Sequence, residues 1–91
     1  MVVTVQGNRY ELIENVKNGW NEDAFRERYI DILNKYDYIV GDWGCNQLRL
    51  RGFFEDDHPK APQDAKISSL PEYIYEYCNF GCAYFVVKKV K

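Results

Sequence analysis

Cys78 and Cys82, four positions apart in the stretch YCNFGCAYF, are the first residues of this 91-residue chain that invite a chemical reading. A tetrahedral zinc site needs four nitrogen or sulfur ligands, and Cys45 and His58 would complete the set, one from a hairpin turn and one from a long loop. Structural zinc sites usually draw on two tight pairs, however, whereas here one pair stands beside two isolated residues. The spacing also lacks the two-residue gap of a reactive dithiol. Free cysteine is among the most buried residue types, so ordinary packing at a helix-to-strand corner is the plain reading, with metal binding or thiol sensing as the alternative. Three cysteines are an odd number and too few for a disulfide scaffold, so reduced thiols are expected.

His58 is the only histidine and lies in an acidic loop before Pro59. No serine has the strand-turn-helix setting of a nucleophile, and Ser68 and Ser69 are explained as helix caps. Asp42 with Glu55, Asp56 and Asp57 supplies acids at neighbouring loop ends, the raw material of a metal-dependent hydrolase using Asp42, Glu55, Asp56 and His58. Acidic turns are more often just solvated. The glycines at 41, 44, 52 and 81 have no phosphate-loop spacing and no following lysine. The chemistry therefore leans away from an enzyme, with no cofactor and no small-molecule substrate identified.

The best positive feature is the run QLRLRGFF. Leu48, Leu50 and Phe54 alternate with Arg49, Arg51 and Phe53, which gives one core face and one basic face carrying an aromatic. With Trp43 at the preceding turn and Lys88 from the last strand, this makes an Arg and aromatic surface. Arginine forks grip phosphates and aromatic rings stack on unpaired bases, so single-stranded RNA is one partner class. Arg, Trp and Tyr are equally the residues of protein-binding hot spots. The plainer alternative has these arginines paired with nearby acids while Trp43 and Phe53 close the core.

Composition sets the frame for these sites. Hydrophobic residues at 46% and aromatics at 16% are too many for a disordered chain, and the length allows one core. A net charge of −2 removes bulk attraction to nucleic acid or an anionic membrane, which tilts the choice of partner towards protein. No apolar run approaches the roughly 20 residues of a membrane helix, and the N-terminus lacks a signal-peptide pattern, so a cytoplasmic protein without membrane contact is expected.

The elements that must position the candidates follow from periodicity. Two β-rich runs around Gly7-Asn8 predict a hairpin with strands near 2–6 and 9–14. Asn21 followed by Glu22 and Asp23 predicts a capped helix over about 22–34, with Trp20 and Phe25 as a hydrophobic staple and Phe25, Tyr29, Ile32, Leu33 and Tyr36 as its buried stripe. A second hairpin is expected near 36–41 and 47–54, followed by a connection over 55–67 with no assigned structure. Ser69 and Glu72 read as a capping box for a helix over about 69–78, and AYFVV as a central strand apolar on both faces. The result is a single α+β domain over 1–91, of order ββαββαβ, with two amphipathic helices on a mostly antiparallel sheet. Whether the helices share a face is left open.

Four strings carry a resemblance: FRERY at 25–29, KYDYIVGDWG at 35–44, QLRLRGFFEDD at 47–57 and YEYCNFGCAYFVVKKVK at 75–91. With them the chain resembles the YutD-like family of small proteins from Bacillus and related bacteria, over nearly its whole length. The resemblance implies a small cytoplasmic α+β domain and carries over no activity, substrate or catalytic residue. Cys78 and Cys82 match the family string, whereas Cys45 does not.

Overall fold

The computed structural model describes residues 1–77 and 81–90. Strand β1 (Val2–Val5) turns through Gln6 and Gly7 into β2 (Asn8–Val16), with Val5 opposite Asn8. The turn thus falls one residue earlier than the Gly7-Asn8 link expected. Gln6 takes φ 49° and Gly7 φ 79°, and two left-handed residues are what lets a two-residue turn follow the twist of its strands. The second hairpin repeats the device: β3 (Tyr38–Gly44) and β4 (Gln47–Phe53) are joined by Cys45 and Asn46 at φ 53° and 63°.

Strand β5 (Tyr84–Lys89) enters between the hairpins and completes an antiparallel sheet of order β1-β2-β5-β3-β4. Its Phe85, Val86 and Val87 are all buried, as a centre strand apolar on both faces requires. A register shift between Leu12 and Glu14 gives β2 a bulge at Ile13.

Helix α1 (Glu22–Arg28) begins as expected: the Asn21 side chain accepts from the Ala24 amide, and the Trp20 and Phe25 rings lie 5.3 Å apart. It ends six residues early. Tyr29 and Ile30 are extended, and a 3-10 turn over Asp31–Lys35 follows. Asp31 would have put a negative charge on the negative end of the helix dipole, and Ile30 and Ile32 are stiff β-branched residues. The break lets Tyr29 place its hydroxyl 2.8 Å from that of Tyr10 in the core, while Ile32, expected in the buried stripe, is 56% exposed.

The connection over 55–67, expected without structure, folds back on β4. Phe54 donates to Ala65 and accepts from Ile67, forming a parallel bridge to Lys66, and 3-10 turns run over Gln63–Ala65 and Ile67–Ser69. Helix α2 (Leu70–Tyr77) follows directly. No capping box forms there, because the Ser69 hydroxyl donates backwards to the carbonyls of Asp64 and Lys66.

The helices lie on opposite faces of the sheet. Phe25, Tyr29 and Leu33 pack with Val3, Val5, Tyr10, Ile39, Leu48, Phe85 and Val87 on one side, whereas Leu70, Tyr73 and Ile74 cover Val40, Phe53 and Val86 on the other. Alternation along a strand makes this possible, since the odd and even residues of β5 serve different layers. Gly41 supports the first layer, because a side chain there would lie 2.2 Å from the Phe85 ring that crosses it.

Candidate functional site

Strand β3 places a carboxylate inside the protein. Asp42 is 0% exposed, and its register partner is Arg49. Arg49 Nε donates to Asp42 Oδ1 at 2.8 Å and Nη2 to the same oxygen at 2.5 Å, while Tyr73 Oη donates to Oδ2 at 2.6 Å. Arg49 Nη2 also donates to the Tyr77 carbonyl at 3.0 Å. A buried charge is tolerated only when paired and hydrogen-bonded, and this one is both. The carboxylate beside it raises the Arg49 pKa, and burial, followed by the bond to Asp42, raises that of Tyr73. The triad ties α2 to the hairpin.

Arg51 lies two residues along on the same face. Its guanidinium sits 5.4 Å from the Phe53 ring centroid and 5.2 Å from that of Tyr73, and it makes no ion pair among the described residues. A hollow of about 290 Å³ opens here between β4 and α2, with Asp64, Glu72, Glu76 and Tyr77 on its walls. Tyr77 is exposed and stacks on Tyr73 at 5.0 Å.

Of the surface expected from the sequence, Arg49, Arg51, Phe53 and Lys88 therefore share a face and Trp43 does not. The turn is only Cys45-Asn46, so Trp43 is a strand residue opposite Leu48 on the α1 side, where its indole donates to the Gly19 carbonyl at 2.7 Å. Phe53 is fully buried beneath Tyr73, which withdraws it from stacking on a base. Lys88 lies beyond Tyr38, 5.6 Å over its ring. Tyr38 is hydrogen-bonded to Glu55, and this, with burial, pushes its pKa up to about 12. Sequence reading missed the Asp42–Tyr73 link, although an acid between Gly41 and Trp43 in an apolar strand is a signal of a buried partner.

The metal readings are corrected. Cys45 sits in the turn before β4 and His58 beyond its far end, and seven strand residues separate points by roughly 20 Å. His58 instead lies against Phe54, ring centroids 4.4 Å apart, with Nδ1 accepting from the Lys60 amide. Cys82, expected as a free thiol, is disulfide-bonded and so offers no thiolate, whereas Cys45 is free and exposed. Cys78 lies outside the described residues. The hydrolase set does not converge either: Asp42 is committed to Arg49 and Tyr73, and Asp56 accepts from the Ser68 amide at the other end of the sheet. Among the described residues no three His, Cys, Asp or Glu side chains gather to hold a metal. No helix among them is long and apolar enough to cross a membrane.

Comparison with known proteins gives a consistent picture. A family model described as "Putative antitoxin YutD-like" matches residues 4–88. A protein of Bacillus subtilis (strain 168), described as "Putative antitoxin YutD", is 62% identical over 90 residues, covering 99% of each chain. The solution NMR structure of protein yutD from B. subtilis is similar to this fold with a TM-score of 0.85, at 62% identity, over 100% of this chain and 83% of that one.

Proposed function

This chain belongs to the YutD-like family, and from that premise we propose that it is a non-enzymatic module that works by holding a partner protein, in the role of an antitoxin. The observation that carries the reading is Arg51: an exposed guanidinium laid over Tyr73 and Phe53, without an acid of its own among the described residues, beside the exposed ring of Tyr77. Arg and Tyr at the mouth of a shallow hollow are what a protein hot spot uses. The acids of that hollow, Asp64, Glu72 and Glu76, repel a phosphate backbone, and the net charge of −2 adds no attraction. Those two facts favour protein over single-stranded RNA.

Arg51→Glu is the variant that tests the reading, because Arg49 cannot be reversed without placing a second carboxylate against buried Asp42. Wild type and variant are immobilised and exposed to cell extract with and without ribonuclease. A protein retained by wild type after ribonuclease treatment and lost from a folded Arg51→Glu supports the proposal. Retention of nucleic acid alone, with steep salt dependence, refutes it in favour of RNA.

A further inference from the structure

The sheet has two edges, and they are treated differently. On β1, Thr4 turns its carbonyl outwards, and Arg26 Nη1 reaches over from α1 to donate to it at 2.7 Å. That edge is short and capped by a charged side chain, a usual defence against unwanted strand pairing. On β4 the residues opposite Trp43, Gly41 and Ile39 are Leu48, Leu50 and Gly52, which point their amides and carbonyls away from β3. These groups make no hydrogen bond among the described residues. The edge contains no proline and no bulge, and it is already extended at one end, where Phe54 pairs with Lys66.

A groove runs beside this edge on the α1 side. One hollow of about 160 Å³ lies between Leu48 and Ala24, flanked by Glu27 and Arg28. A second of about 320 Å³ lies between Leu50 and the exposed Ile30 and Ile32, and ends at Ala65. Gly52 keeps the groove shaped here, since its lack of a side chain lets the Tyr36 ring lie against the strand.

We propose that the β4 edge is a strand-addition site for an extended segment of a partner protein in which apolar and acidic residues alternate. Residues set opposite Leu50 and Gly52 would direct their side chains into the hollow beside Ile30 and Ile32, and so be apolar, while one opposite Leu48 would enter the smaller hollow over Ala24 and Trp43. Their neighbours would fall opposite Arg49 and Arg51 on the other face, and so be acidic. The same charges reject a second copy of this chain: two-fold antiparallel pairing of β4 with itself through these outward groups sets arginine against arginine, which destabilises directly opposed strands. The inference rests on the chain being a protein-binding module but concerns the edge and its groove on the α1 side, which share only Arg51 with the hollow under α2.

The test uses the full chain and a blocked synthetic peptide of alternating valine and glutamate, followed by amide shifts and hydrogen exchange in NMR. The free protein should exchange the Leu48, Leu50 and Gly52 amides fast, and the peptide should shift and protect them. Leu50→Pro removes an outward amide while leaving the bonds to β3, and should weaken binding about tenfold, the effect of one to two main-chain hydrogen bonds. Ile32→Asp, at an exposed position, should weaken it comparably and keeps the test decisive if the proline variant fails to fold. A valine and lysine peptide should bind at least tenfold more weakly than the glutamate one. Absent or scattered shifts, equal binding of both peptides, or slow exchange at these amides in a free dimer would each overturn the proposal. If binding to the Arg51 hollow failed while these results held, only the placement of the hot spot would fall.

Discussion

Truncating Arg49 to alanine should cost about 2 kcal/mol of folding stability, and the figure follows from who would be left behind. Asp42 is fully buried and has three hydrogen bonds, of which Arg49 supplies two. Removing one partner of a fully buried pair costs about 3–5 kcal/mol, because the other charge is stranded. Here the Arg49 side chain is itself 51% exposed, so its removal opens a path by which water reaches Oδ1 and recovers part of that loss. Arg49→Lys keeps the charge but not the fork, and should lose about 1 kcal/mol. Arg51→Ala is the control: it gives up contact with two ring faces and strands no charge, so it should cost no more than about 1 kcal/mol. Urea unfolding at neutral pH reads the differences directly, and for a domain of this size about 2 kcal/mol corresponds to a Tm lower by roughly 8–16 °C. If Arg49→Ala proved no more destabilising than Arg51→Ala, the triad would not be what ties α2 to the sheet.

Gly41→Ala should be among the most damaging small changes in the chain, losing about 3 kcal/mol in urea unfolding, because the new methyl would meet the Phe85 ring at 2.2 Å in the centre of the sheet. Raising the pH should unfold the protein above about pH 10. Tyr38, raised to about 12 by Glu55, and Tyr10, Tyr73 and Tyr84, raised by burial, all hold their protons more tightly folded than unfolded. Their contribution is therefore complete below the ordinary tyrosine pKa and drains away as the unfolded chain ionises. An ultraviolet titration should show Tyr10 and Tyr73 ionising only with loss of the near-ultraviolet dichroism, and independent ionisation in a folded chain would contradict this. Cys45→Asn should leave stability unchanged or raise it by a few tenths of a kcal/mol, since Asn accepts the left-handed turn better than Cys. Its metal content by mass spectrometry should equal that of wild type, and a zinc lost on this substitution would restore the metal reading.

Much of this architecture is written locally. The Asn21 cap, the Trp20–Phe25 staple, the two hairpins and the apolar centre strand each depend on residues within a few positions of one another, so their side-chain chemistry declares them. The alternation of QLRLRGF likewise placed Arg49, Arg51 and Phe53 on one face before any contact was known. The early end of α1 was not legible, because Tyr29 leaves the helix for a hydroxyl partner nineteen residues away.

Tertiary structure alone decided the rest. Periodicity gives each helix an apolar stripe but not the face of the sheet it will cover, and the placement of α2 over the arginine face is what buries Phe53, draws Tyr73 to Asp42 and leaves Arg51 at the surface. Strand order is equally nonlocal. Insertion of the last strand between the hairpins makes β1 and β4 the edges, and only then do the outward amides of Leu48, Leu50 and Gly52 acquire meaning. The sequence determined which residues are polar, apolar or charged along each strand. Which strand would lie open depended on contacts between residues far apart in the chain, whose energies no local pattern records.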